Sequence, residues 1–183
     1  LELDPFTNQW NQKSSMPTVR HGAKLIHYND QIWAIASYPA SGTVEIYDLA
    51  TDSWTTGPSL TTARAWPSAW VANGRIYVAG GISPYLNSVE FYDPVSNQWN
   101  ASGSIPETKG LADAAVLDDR VYIMAGELSA GVYSDKVYAA DLIPHRDLYF
   151  REANATAPAQ PAPNQAPAFA GGSTFTTAEN NAS

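Results

Sequence analysis

Tyr92-Asp93-Pro94-Val95-Ser96-Asn97-Gln98-Trp99 has two counterparts upstream, Tyr47-Asp48-Leu49-Ala50-Thr51-Asp52-Ser53-Trp54 and Leu3-Asp4-Pro5-Phe6-Thr7-Asn8-Gln9-Trp10. Asp4, Asp48 and Asp93 are 44 and 45 residues apart, and Trp10, Trp54 and Trp99 keep that step. Asp141, in Tyr138-Ala139-Ala140-Asp141, continues the series after a further 48 residues. A period of this length filled with short strand-like runs predicts an all-β protein with one propeller blade per repeat, not a solenoid of helix pairs.

Working outward from the repeat, each copy divides into four short strands punctuated by turn residues. In the copy with Trp99, the segment Trp66-Pro67-Ser68-Ala69-Trp70-Val71 precedes a tight turn at Ala72-Asn73-Gly74. Arg75 to Gly81 is then a nearly continuous apolar run, as expected of a strand buried on both faces. Ser88 to Tyr92 alternates, and a turn leads to the strand with Trp99. On this register residues 1–153 hold about three and a half four-stranded blades: 1–16 the end of a preceding blade, then 17–60, 61–105 and 106–153. The chain opens at Leu1 in mid-blade, which predicts a piece of a longer polypeptide.

These features resemble the Kelch repeat: an apolar strand ending in Gly80-Gly81, then Val-Glu-x-Tyr-Asp (Val44 to Asp48, Val89 to Asp93), then Trp six residues after the Asp. The glycine pair reads as Ala36-Ser37 in one blade and as Gly126-Glu127 in another, and six residues after Asp141 stands Asp147 in place of the expected Trp, with Tyr149 as the replacement. The repeated residues have structural work. Asp48 and Asp93 can accept backbone N–H bonds two residues on. Gly80 and Gly81 permit close backbone approach. Trp10, Trp54 and Trp99 are plates suited to packing between sheets.

Composition narrows the function. Eighteen acidic residues against 10 basic ones give a net charge of −8, which disfavours nucleic-acid binding. No apolar run is long enough to span a membrane, and there is no cysteine, hence no disulfide or thiolate metal site. The resemblance also brings to mind propeller enzymes, copper oxidases and sugar mutarotases. A Tyr–Cys copper centre is incompatible with this stretch, and Glu127 is the one acid at an unusual position for mutarotase chemistry.

Arg20, Arg64 and Lys109 recur at steps of 44 and 45, each just before the first strand of its blade. Equal blade positions project onto a ring, so the three cations are candidates for a ligand-binding, anion-attracting rim at one channel mouth. The competing reading pairs each with a nearby carboxylate or carbonyl as a joint between blades. His21 and His27 share a face if both lie on one strand, but they lack a third metal ligand. His145 sits in a turn, Ile143 to Asp147.

Beyond Glu152 the composition changes. Residues 154–163 form a Pro/Ala-rich linker, polyproline-leaning and unable to bury a core. Asn164-Gln165-Ala166-Pro167-Ala168-Phe169, followed by Glu179-Asn180, resembles the opening strand of a cadherin-like β-sandwich over 164–183. That resemblance implies calcium held partly by Glu179, through hard oxygen ligands. No cofactor is expected in the propeller. The whole reads as a non-enzymatic binding or adhesion module of a bacterial extracellular or cell-surface protein, recognising a protein or a glycan. The alternative is a carbohydrate-active propeller enzyme of oxidase or mutarotase type whose catalytic blades lie outside this stretch.

Overall fold

A computed structural model describes residues 1–142 together with the strand Arg151–Glu152. The Pro/Ala linker, the cadherin-like opening with Glu179 and its calcium, His145 and Tyr149 lie outside the described residues.

Every regular element among the described residues is a strand. β1 (Glu2–Asp4) and β2 (Gln9–Asn11) form a hairpin, the outer part of a first blade. Blade I is the antiparallel sheet β3 (Lys24–Tyr28), β4 (Gln31–Ile35), β5 (Val44–Asp48) and β6 (Ser53–Thr56). Blade II repeats it with β7 (Ser68–Ala72), β8 (Arg75–Ala79), β9 (Ser88–Asp93) and β10 (Gln98–Ser104). In blade III, β11 (Asp113–Leu117), β12 (Arg120–Met124), β15 (Val137–Asp141) and β16 (Arg151–Glu152) make the sheet. The small hairpin β13 (Glu127–Ser129) and β14 (Val132–Tyr133) fills the loop between its second and third strands.

Turn chemistry sets this geometry. The two residues joining first and second strands are left-handed in every blade: Asn29 and Asp30 (φ 49° and 57°), Asn73 and Gly74 (49° and 69°), Asp118 and Asp119 (49° and 56°). Two consecutive positive φ values give the turn whose twist matches a right-twisted hairpin, and Asn, Asp and Gly adopt it at least cost. Between third and fourth strands an aspartate nucleates the turn. Phe6 N donates to Asp4 Oδ1 at 2.8 Å, Ala50 N to Asp48 Oδ1 at 2.9 Å and Val95 N to Asp93 Oδ1 at 3.0 Å. The Phe6 N–H holds the Asp4 carboxyl below its ordinary value, and the Thr51 N–H, 2.9 Å from Asp48 Oδ1, does most to hold Asp48 below its own.

The core lies between blades. Ile76 and Val78 of β8 face blade I with Trp33, Ile35, Val44 and Trp99, whereas Tyr77 and Ala79 face blade III with Val121, Ile123 and Tyr138. The central strand is therefore buried on both sides, which is why its sequence is apolar without alternation. In blades I and II a Trp indole ties the outer strand to the chain of the preceding blade: Trp99 Nε1 donates to Pro58 O at 2.9 Å and Trp54 Nε1 to Ser14 O at 3.0 Å. Trp10 is largely exposed. Asp141 pairs with Arg120 at 2.8 Å across β12 and β15.

The end of the second strand corrects one alignment. The left-handed residue there is Ala36 (φ 68°), Gly80 (66°) or Ala125 (58°), each directly after its strand. The counterpart of Gly80-Gly81 in blade III is therefore Ala125-Gly126, not Gly126-Glu127. Glu127 instead occupies the position of Tyr38 and Ile82, as the bridges His21–Tyr38, Ala65–Ile82 and Gly110–Glu127 establish.

Two glycines with similar φ separate backbone strain from steric demand. A Cβ on Gly80 would collide with the Lys109 carbonyl oxygen, whereas one on Gly74 meets nothing within 4 Å. Urea unfolding is expected to show a loss of more than about 2 kcal/mol for Gly80→Ala, from strain plus overpacking. For Gly74→Ala the expected loss is about 1 kcal/mol, from the left-handed backbone alone. The aspartate turns make a second prediction. Because the folded value of Asp48 is depressed, its contribution is present above the ordinary carboxylate value and is lost as pH falls through the folded one. Melting temperature measured against pH is expected to fall less steeply below pH about 4 in Asp48→Asn than in the parent.

Candidate functional site

Antiparallel order puts the entry to each first strand, the loop between second and third strands and the exit of the fourth at one end of the blades. This loop face contains the three periodic cations, and all three are buried, with side chains at most 1% exposed. Arg20 Nη1 donates to Ala36 O and Thr43 O, both at 3.2 Å, and its Nη2 pairs with Glu45 at 2.8 Å. Arg64 Nη1 donates to Gly80 O at 2.8 Å and Ser88 O at 3.1 Å, and its Nη2 pairs with Glu90. Lys109 Nζ donates to Ala125 O at 2.8 Å and Lys136 O at 3.4 Å. Each cation thus closes the gap between the second and third strands of its own blade. An anion-attracting rim requires these charges at the surface; their partners hold them in the interior.

The carboxylates extend the joint to the incoming chain. Glu90 accepts from Thr61 N at 2.7 Å, Thr61 Oγ1 at 2.6 Å and Thr62 N at 3.1 Å, and Glu45 accepts from Thr18 Oγ1 at 2.6 Å. Blade III exchanges the parts. Tyr138 stands on the strand where the other blades have Glu45 and Glu90, and Glu107 stands where they have Thr18 and Thr62. Glu107 pairs with Lys109 at 3.4 Å, and the ammonium lies 5.3 Å from the centre of the Tyr138 ring. Burial pushes Arg64 and Lys109 below their ordinary values, against the pull of Glu90 and Glu107. Burial works to raise Glu107, but the Ser134 hydroxyl and the Lys109 ammonium leave it lowered overall.

Two residues after each cation the backbone is left-handed again: Gly22 at φ 69°, Trp66 at 47° and Leu111 at 56°. These three form a backbone relay from blade to blade, Leu111 N donating to Trp66 O at 3.1 Å and Trp66 N to Gly22 O at 2.7 Å. Trp66 therefore lies before β7, not on it. Its indole covers Gly22 so closely that an added Cβ would come within 2.7 Å of Cε2. His21 and Tyr38 complete an aromatic cluster with it. Ring centroids are 5.1 Å apart for His21–Tyr38, 5.5 Å for His21–Trp66 and 5.0 Å for Tyr38–Trp66. Tyr38 N donates to His21 O at 2.7 Å, fixing the two segments together.

Two residues further along the first strands, Lys24 of β3 pairs with Asp113 of β11 across the start of β7. On the blade III side, Gly131 N donates to Glu127 Oε1 at 2.6 Å. Burial raises the Tyr85 phenol, and its hydrogen bond to Glu127 raises it further. His21 and His27 do not share a strand, because Gly22 turns left-handed between His21 and the start of β3. Among the described residues no three His, Cys, Asp or Glu side chains converge as metal ligands. The aromatic cluster escaped the sequence reading, although a Trp aligned with a glycine at Gly22 was a visible signal.

Residues 67–104, which span blade II, match the Kelch motif. Beta-scruin and alpha-scruin of Limulus polyphemus are 29% and 28% identical to this chain over 90 and 89 residues, 44% of the chain and 10% of each scruin. Kelch repeat and BTB domain-containing protein 12 of Danio rerio is 29% identical over 100 residues, 44% of the chain and 15% of that protein. The fold also superposes on the solved structure of YjhT with a TM-score of 0.70 at 18% identity, covering 82% of this chain and 56% of that one. These residues form part of a Kelch-type β-propeller. The aligned stretch is a small fraction of each curated relative, so the likeness extends to the repeat architecture.

The buried joint makes a measurable demand. Glu90→Gln leaves the fully buried Arg64 without its counter-charge and is expected to cost about 3–5 kcal/mol in urea unfolding. The same exchange at Glu2, an exposed partner of Lys13, is expected to cost under about 1 kcal/mol. Equal losses at the two sites would contradict the joint.

Proposed function

We propose that the chain is a non-catalytic binding module whose loop face is the recognition surface, within a multidomain extracellular or cell-surface protein. The observation that carries this reading is a division of labour on that face. The periodic cations, the chemically strongest groups of the repeat, are engaged inside the blades. The residues next to them differ from blade to blade and reach solvent: His21, Tyr38 and Leu111 are exposed, Trp66 half-buried. A surface whose scaffold is repeated and whose exposed side chains vary is suited to holding one particular ligand. The Kelch-repeat relatives support a binding role, and a protein or a glycan is the class of ligand.

The test is to present the intact polypeptide, labelled, to arrays of peptides and oligosaccharides, and to assay each bound ligand for chemical change. Binding is expected to disappear with Tyr38→Ser or Tyr85→Ser on the loop face. It should survive Phe6→Ser and Val95→Ser on the opposite turns, where both side chains are almost fully exposed. Ligand turnover, or loss of binding only with the opposite-face variants, would overturn the proposal.

A further inference from the structure

The cluster His21–Tyr38–Trp66 is not required by the core. None of the three belongs to either buried cluster between the blades. Trp66 adopts φ 47°, a left-handed conformation that costs a non-glycine residue about 1–2 kcal/mol. The equivalent residue of blade I is Gly22, which meets that geometry without strain. The left-handed backbone is imposed by the relay, as it is at Leu111, but a bulky aromatic at that position beside an exposed Tyr and an exposed His is demanded by neither the relay nor the core.

The chemistry of the cluster selects a ligand. Aromatic faces are electron-rich and attract weakly positive C–H groups, while Tyr O–H, Trp N–H and imidazole offer polar edges at the same place. A pyranose ring presents that complement: a C–H face to stack and a rim of hydroxyls to hydrogen-bond. Charge narrows the class further. Among the described residues of this face, Arg20, Arg64 and Lys109 are buried in their joints, Lys24 is paired with Asp113, and Lys136 is 3.8 Å from Glu107. Lys136 is half-exposed but belongs to blade III, whereas blades I and II build the cluster. On this face their described cations are engaged, so an anionic sugar there would lack a counter-charge for its desolvation.

Resting on the reading of the loop face as the recognition surface, we propose that His21, Tyr38 and Trp66 form a stacking site for a neutral pyranose of an oligosaccharide. Trp66 supplies the platform, and Tyr38 and His21 flank it and bond hydroxyls.

Isothermal titration of the intact polypeptide with cellotetraose, maltotetraose and N-acetylneuraminic acid tests this. At least one neutral tetraose is expected to bind saturably, and N-acetylneuraminic acid is expected to bind no more tightly. Trp66→Gly, which installs the residue blade I already uses, and Tyr38→Ser are each expected to weaken the tetraose about tenfold or more. Melting temperatures alongside are expected to stay at the parent value or above for Trp66→Gly, so lost binding is not lost folding. Absence of saturable binding to both tetraoses, retention of binding in both variants, or preference for the acidic sugar each overturn the proposal. Peptide binding on the arrays that depends on the loop face, with no tetraose binding, overturns the sugar site and leaves the recognition surface standing. Failure of both experiments removes both.

Discussion

The blades depend on a buried cation that satisfies the backbone where second and third strands part. At that point the ladder opens and carbonyl oxygens turn into the interior: Ala36 and Thr43, Gly80 and Ser88, Ala125 and Lys136. Buried acceptors without partners are costly, and water is poorly placed to serve them between packed sheets. In blades I and II one guanidinium nitrogen, Nη1, donates to both carbonyls, and Nη2 pairs with the strand glutamate. In blade II that carboxylate grips Thr61 and Thr62 of the incoming segment, so one ion pair fixes the blade internally and docks the chain arriving from its neighbour.

Blade III shows that the constraint is chemical and not a matter of residue identity. A lysine carries fewer donors and no fork, and beside it the strand glutamate is replaced by Tyr138. The negative charge reappears as Glu107, on the incoming segment where the other blades place threonine. Charge neutrality in the joint is kept while its geometry is rebuilt, with the tyrosine ring taking the side of the ammonium that a carboxylate occupies elsewhere. A buried cation tolerates a different counter-charge but not the lack of one.

The blade count, the strand order and the turns were legible in the sequence because they depend on local chemistry repeated at a fixed period. Asp48 and Asp93 announce their turns, and Asn73-Gly74 announces a hairpin. Direction was not legible. The spacing of Arg20, Arg64 and Lys109 establishes that they are equivalent, but a surface rim and an interior joint have the same spacing. Only the strand register, which brings Glu45 and Glu90 to the cations, separates the two. Matching letters also misplaced Glu127, because Gly126 attracted the glycine pair by identity whereas the backbone needs its left-handed residue at Ala125. Trp66 read as the start of a strand for a related reason: tryptophan favours strands, and the tertiary relay from Gly22 to Leu111 overrides that propensity.

That override links scaffold to site. The relay requires a left-handed residue two positions after each cation, whatever its side chain, because its N–H and C=O carry the bond from blade to blade. Glycine would satisfy the requirement everywhere, and in blade I it does. Where the position is occupied by tryptophan the backbone still conforms, since the joint at Arg64 and the bridge from Ala65 to Ile82 fix the residues on its N-terminal side. The same bonds that make the blades stack therefore hold an aromatic ring in a conformation it would not choose, at the edge of the loop face and in contact with His21 and Tyr38. Rigidity in the buried joint is what allows the exposed neighbours to be strained, preorganised and different in each blade.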